Sequence, residues 1–324
     1  MTTTTPTVTS EIPFESIVGQ DRVKSKLNFL LDSYRNGGVM PHSLLIAPKG
    51  CGKTMIAREL AKQMKSIAEK TRGEQKRWYE INCSTVKSVK QFFNQIIIPY
   101  VNDKDCTLIF DEASEIPRDV TMALLTILNP NNSNRTTFSY DDYTVDFDFR
   151  RQNFILATSE SHKVFHALMD RLDRVELEEY NVAHLAEMIK RNVNIPIEGK
   201  LLNEIATVCR GNAREAQKKS GNIETYLCGQ KKTTFDKVDW ISLRRTLGIL
   251  PLGLSNIELQ VLRLLATRKE TSLTRLSASI GMTKESLQKD VELYLQKMGL
   301  LEITTSGRAI TAKGLTYLKN LEIW

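Results

Sequence analysis

Two clusters of residues in this chain have types and spacing suited to chemistry on a phosphate. The first is Gly50-Cys51-Gly52-Lys53-Thr54, followed by Met55; the second is Asp111-Glu112, roughly 60 residues further on. Glycines let backbone N–H groups turn inward around phosphate oxygens, and a helix N-terminus behind them adds partial positive charge. Lys53 would reach the β- and γ-phosphates of a nucleotide, and Thr54 would hold Mg²⁺. Asp111 would hold the same ion through water, and Glu112 would orient or polarise the attacking water. An acid pair after an apolar run is weak evidence alone, since strands often end in acids. With the glycine loop it points to nucleotide hydrolysis. Phosphoryl transfer spreads charge over the γ-phosphate oxygens, so such a site also wants further cations. Ala47 stands where the strict loop pattern has glycine. Cys51 lies beside a lysine and a helix N-terminus, which favours a reactive thiolate; the plain reading is a small residue that fits.

These residues need a scaffold. The loop follows an apolar run over 43–46 and precedes a helical pattern of Ile56, Ala57, Leu60, Ala61 and Met64. The acids end a buried strand over 107–110, and a second buried strand over 154–159 ends in hydroxyls. Parallel sheets place ligands at such strand ends. Around them the pattern predicts helices over 20–34, 89–98 and 122–128 and a short strand over 78–82. A turn cluster over 129–134 leads into 136–140 and 143–149, which flank Asp141-Asp142 and alternate in polarity as a β-hairpin. Strands alternating with helices define a parallel α/β core over 14–180. Residues 181–245 read as a small helical lid and 246–324 as a third domain; 1–13 reads as a disordered tail.

Composition sets the outer limits. The 324 residues are 41% hydrophobic and 26% charged, ordinary for a soluble protein, with net charge +7. The basic balance permits contact with nucleic-acid phosphates, though many basic proteins merely carry solvated faces. The Thr-rich start lacks the apolar stretch of a secretory signal, and no run approaches a membrane span. The five cysteines include no Cys-x-x-Cys pair, which argues against a disulfide framework or zinc site and for a reducing, cytoplasmic setting.

Ile17-Val18-Gly19-Gln20, the glycine loop, Asp111-Glu112, Ala157-Thr158-Ser159, Asp170-Arg171 and Gly211-Asn212-Ala213-Arg214 occur in the order of an AAA+ ATPase, which the chain resembles. The resemblance implies ATP and Mg²⁺ as ligands and Val18 beside the adenine. It implies Thr158 as the first polar sensor, Arg171 as the finger given to a neighbouring subunit, and Arg214 as the second sensor on the lid. Each has a structural counterpart. Arg171 also reads as a surface ion-pair partner, with Arg174 near enough to be taken for it; Arg214 also reads as part of a helix cap, and Thr158 as a strand-end hydroxyl.

The C-terminal segment narrows the family. Residues 273–280 read as a helix, Gly281-Met282 as a turn, and 283–298 as a longer helix with Thr283 as N-cap and Leu287, Val291, Tyr294, Leu295 and Met298 on one face. Strands over 300–304 and 309–311 then flank Ser306-Gly307-Arg308, and a closing helix spans 311–321. This is a winged helix, a geometry that places the second helix in the major groove and also serves for protein contacts. Lys284, Lys289 and a wing-tip Arg308 are the candidates for DNA phosphate contact. Core, lid and winged helix together resemble the AAA+ motors that move Holliday junctions. That implies a homo-oligomeric, hexameric ring on duplex or four-way junction DNA, with the hairpin over 136–149 touching a junction-binding partner. The chain departs from the pattern at Ala47, at Ala113-Ser114 after the acids, and at Ser10-Glu11-Ile12-Pro13, where an Arg-Pro pair is absent. Two other readings share the core motifs: a clamp-loader subunit, which would end in an all-helical collar, and an ATP-dependent initiator or regulatory DNA-binding module.

Overall fold

The computed structural model describes residues 13–67, 72–129, 134–141, 143–268 and 270–321. Of the expected tail only Pro13 falls within them, and most of the 129–134 turn cluster and Asp142 lie outside. The chain divides into two compact units, Met1–Met188 with Gly211–Gln217, and Ile189–Arg210 with Lys218–Trp324. The expected helical lid contributes to both.

In the first unit, helix α1 (Asp21–Arg35) precedes β1 (Ser43–Ile46), α2 (Lys53–Gln63) and β2 (Arg77–Asn82). Then come α3 (Val89–Phe92), β3 (Cys106–Asp111), α4 (Arg118–Ile127) and the hairpin β4 (Arg135–Tyr140) and β5 (Tyr143–Asp148). β6 (Gln152–Thr158), α5 (His166–Met169) and β7 (Asp173–Glu176) complete the core. Five strands form one sheet in the order β2-β3-β6-β1-β7, every neighbouring pair parallel. β3 and β6 are almost continuously buried, as strands covered on both faces must be. Their near-unbroken apolar composition follows from that burial. Register aligns Ile46 with Thr158 and Asn82 with Asp111. The glycine loop, the acid pair and the strand-end hydroxyl therefore leave the sheet at the same edge.

Near the opposite end, His42 is enclosed by the Phe149 and Phe154 rings at 4.7 and 5.1 Å and accepts a hydrogen bond from Phe154 N–H at 3.2 Å on Nδ1. Loss of hydration keeps the imidazole neutral, its pKa pushed down to about 3.

The helix expected over 89–98 starts as α3, with Ser88 accepting from Gln91 N–H, and widens into a π-helix over Phe93–Val101. Pro99 lies inside it and has no N–H to give to an α-helical ladder. This segment presents Phe93 to the hairpin: Phe138 and Tyr140 stack on it at 5.1 and 5.3 Å. Val145 and Phe147 are buried on the same side. The other face of the hairpin carries polar cross-strand pairs, Thr137 with Asp146 and Ser139 with Thr144.

The remaining helices are α6 (Val182–Asn192), α7 (Gly199–Thr207), α8 (Ala213–Gln230) and α9 (Lys237–Thr246). The C-terminal fold has α10 (Asn256–Thr267), α11 (Leu273–Ile280), α12 (Lys284–Ser286) and α13 (Leu293–Lys297). β8 (Leu301–Ile303), β9 (Arg308–Ile310) and α14 (Ala312–Leu321) close it. Thr283 caps α12, and a π-helical stretch over Leu287–Glu292 joins α12 to α13 as one rod. Its Leu287, Val291 and Leu295 pack with Leu262, Leu276 and Leu300. β8 and β9 pair antiparallel, and Thr271 bridges to Arg308. This β-wing is foreign to an all-helical collar. Within the second unit Arg210 grips the buried Glu258 with two bonds of 3.1 and 2.8 Å and lies 3.4 Å over the Tyr294 ring. Glu258 also closes a capping box with Ser255, so one carboxylate ties α10 to the residue that ends the α7 segment. No single described helix is long and apolar enough to cross a membrane.

Candidate nucleotide site and winged helix

The loop after β1 turns on two glycines in left-handed conformation, Gly50 at φ +83° and Gly52 at φ +85°. A side chain at either would be strained. Ala47 has no positive φ, so its methyl is tolerated at the loop entrance. Its N–H donates to Thr158 O at 3.3 Å. Lys53 opens α2 and its Nζ donates to Ala47 O at 2.8 Å and Pro48 O at 3.0 Å. Burial draws its pKa below the ordinary lysine value; Cys51 and Asp111 oppose the shift, while Arg214 and Lys49 add to it. A cation held by carbonyls and short of water is one that a phosphate can recruit.

Thr54 Oγ1 donates to Asp111 Oδ2 at 2.8 Å, and Asp111 Oδ1 accepts from Glu112 N–H at 3.0 Å. The two residues expected to hold the metal are thus in direct contact, and their oxygens are the donor type that Mg²⁺ takes. Glu112 is exposed and left-handed at φ +55°, an unfavourable state for a non-glycine residue. Thr158 is wholly buried, and its Oγ1 accepts from Glu160 N–H at 3.0 Å. Cys51 is buried, which fits the plain reading of that thiol. Met55 is exposed in the first turn of α2.

Val18 is buried at the turn before α1. Two residues on, Gln20 at the start of α1 is pinned in two directions: its Nε2 donates to Glu178 O at 2.6 Å, and Glu178 N–H donates to its Oε1 at 3.0 Å. Tyr180 ties this region to the loop, its hydroxyl donating to Cys51 O at 3.3 Å and its N–H to Gly211 O at 3.4 Å. Sequence reasoning missed Tyr180, and placed Gln20 only in the Ile17-Val18-Gly19-Gln20 motif without its tethering role, because that role and Tyr180's depend on which strand ends meet.

Arg214 is exposed in the first turn of α8, where its charge reaches Lys53. Arg171 is half-buried and donates to Leu125 O, Ala167 O and Asn129 Oδ1 at 3.1, 2.6 and 3.4 Å. None of these partners belongs to the glycine loop. Arg174, three residues on, is exposed and pairs with Asp170 at 3.4 Å. The structure separates the pair that sequence confused: Arg171 is held in place and Arg174 is solvated.

In the winged helix, Lys284 and Lys289 are exposed on the α12 rod. Arg308 requires a correction. The wing turn closes between Thr304 and Gly307, so Arg308 opens β9 instead of occupying the tip. Its guanidinium bonds Glu292 at 2.7 and 3.1 Å, with both side chains nearly closed to solvent. Arg308 therefore fastens the wing to the rod and is not the free phosphate contact expected. Glu292 was invisible as a partner because it is 16 residues away and counts as an ordinary helix acid.

A glycine loop feeding a helix, an acid pair at the end of a strand in the same parallel sheet and a C-terminal winged helix define an AAA+ ATPase, an ATP hydrolase. The sequence matches the family described as ATPase family associated with various cellular activities (AAA) over residues 43–180, and the RuvB C-terminal winged helix domain over 251–319. The chain is a RuvB-like AAA+ ATPase. It is 25% identical to the Holliday junction branch migration complex subunit RuvB of Thermotoga maritima, over 94% of this chain and 90% of the relative. The protein of that name from Mycoplasmopsis pulmonis is 23% identical, over 95% and 96%. A solved structure of a Thermotoga maritima RuvB variant superposes with TM-score 0.72 at 25% identity, covering 94% of this chain and 96% of that one.

Proposed function

We propose that this chain is an ATP-driven motor that assembles as a ring, six subunits in the simplest case, on duplex DNA and migrates four-way junctions. The observation that carries the reading is the presence, in one polypeptide, of a hydrolytic loop paired to its acids and a winged helix with exposed lysines. Relatives that it matches nearly end to end are named as branch-migration subunits. On ATP binding, Lys53 leaves the carbonyls of Ala47 and Pro48 for the β- and γ-phosphates. Glu112 orients the attacking water, and Thr158 reports the γ-phosphate from the adjoining strand end. Thr54 and Asp111 would hold Mg²⁺, which would supply positive charge to offset that of the phosphates. Arg214 contacts the nucleotide of its own subunit. Arg171, fixed by backbone carbonyls, is presented to the neighbour's. Val18 and Met55 border the nucleotide, and Lys284 and Lys289 meet DNA phosphates. The hairpin over 136–149 contacts a junction-binding partner; with its apolar face already packed on Phe93, that contact is made by polar groups. The site of action is the cytoplasm.

The test is ATP turnover with and without a synthetic four-way junction, together with separation of its arms. Stimulated hydrolysis and junction movement are expected. Lys53→Ala should abolish both; a variant that retained them would overturn the reading. Imaging with a non-hydrolysable ATP analogue and junction DNA should show closed rings on the arms, whereas a five-subunit spiral would favour a loader.

A further inference from the structure

We infer that Asn212 is a positioning residue for the phosphate loop, acting on the outside of the loop while the nucleotide occupies the inside. The inference rests on ATP binding at Lys53 and Thr54. Asn212 uses both ends of its amide. Oδ1 accepts from Arg214 N–H at 2.9 Å and Glu215 N–H at 3.3 Å, capping α8. Nδ2 donates to Lys49 O at 3.1 Å. The next residue adds a second tether, Ala213 N–H donating to Gly50 O at 3.1 Å.

The consequence follows from the planarity of the peptide. In a trans peptide the N–H points opposite to the C=O. Drawing Lys49 O outward turns Gly50 N–H toward the interior of the loop, and drawing Gly50 O outward does the same for Cys51 N–H. In its place Cys51 N–H donates to Pro48 O over 3.4 Å, a long bond that a phosphate oxygen would readily displace. The approach is close: a Cβ on Gly50 would lie 2.1 Å from Asn212 Oδ1. Gly50 is therefore required twice, for its φ and for the space that Asn212 occupies. The same side chain fixes the first turn of α8, which carries Arg214. One amide thus sets both the amides that receive the phosphate and the start of the helix that bears the sensor arginine.

The test separates capping from loop positioning. Asn212→Ser keeps a good helix cap but lacks the reach and the amide donor for Lys49 O. Asn212→Asp keeps the cap and replaces that donor by an acceptor. Both should melt close to wild type. The serine variant should bind ATP and ADP about three- to ten-fold more weakly, the loss of one oriented hydrogen bond, with KM raised and kcat little changed. The aspartate variant should be weaker still. Arg214→Ala, in contrast, should lose ATP and spare ADP. A serine variant that folds and binds both nucleotides like wild type overturns the inference and leaves Asn212 a helix cap. Wild-type protein that binds neither nucleotide overturns the ATPase reading and this inference together.

Discussion

At the glycine loop, Lys53 rests on two backbone carbonyls, while at the wing Arg308 is clamped by two bonds to the buried carboxylate of Glu292. The two cations look alike in the sequence, each beside a glycine in a turn that expects phosphate. Their energetics differ. Exchanging a carbonyl for a phosphate replaces one hydrogen-bond acceptor by a better one. Pulling Arg308 away leaves a carboxylate unpaired in the interior, at a cost of about 3–5 kcal/mol. Lys53 is therefore positioned to change partner, and Arg308 is spent on shape. Charge in a binding module does not identify the groups that bind; the partner already present does.

The largest effect that would test this contrast is at the loop. Glu112→Gln should lower kcat by about 10²–10⁴-fold, removing the base while ATP binding, read by fluorescence titration, persists. Hydrolysis that survived would show that the acid pair is only a strand end. At the wing, Arg308→Ala should destabilise the second unit by about 3–5 kcal/mol in urea unfolding. Arg308→Met combined with Glu292→Met should recover most of that loss. Undiminished stability together with weaker DNA binding would instead return Arg308 to the list of DNA contacts.

Acid should distinguish the two units next. His42 has its pKa lowered to about 3 in the folded state, so between pH 6.5 and 3 the unfolded chain binds a proton that the folded chain refuses. Its contribution is complete above pH 6.5 and falls by about 1.4 kcal/mol per pH unit as the pH drops through that window. Chemical unfolding of the first unit at pH 7, 6 and 5 should show this slope, and His42→Asn should flatten it. An unchanged slope in that variant would mean that His42 is not the group responsible. The smallest effects belong to the exposed lysines. Lys284→Ala and Lys289→Ala should each reduce the salt dependence of duplex binding by about one unit of slope and leave stability within about 0.5 kcal/mol. A salt slope that did not move would place DNA elsewhere on the module.

Much of the molecule was legible before its coordinates. Buried runs at 107–110 and 154–159 announced parallel strands because such strands must be apolar on both faces. The hairpin was visible from period-two alternation, and the rod cap at Thr283 from a hydroxyl before a helical pattern. The π-helical widening after Phe92 was not, since it depends on how Pro99 and the hairpin aromatics are accommodated together. Nor was the role of Arg308: its partner sits on another element, and ion pairs across 16 residues leave no periodic trace.

The sequence by itself determined the chemistry of the loop, because phosphate binding needs particular residue types at fixed separations along one turn, and local backbone geometry converts that spacing directly into position. It also determined the order of core and winged helix. Only the tertiary structure decided which groups are free to act. It set Arg171 apart from Arg174, withdrew Arg308 from the surface, joined Gln20 and Tyr180 to the loop's surroundings, and brought Asn212 against Gly50. Those outcomes depend on contacts between segments distant in the chain, where desolvation and hydrogen-bond partners are settled by packing and not by spacing.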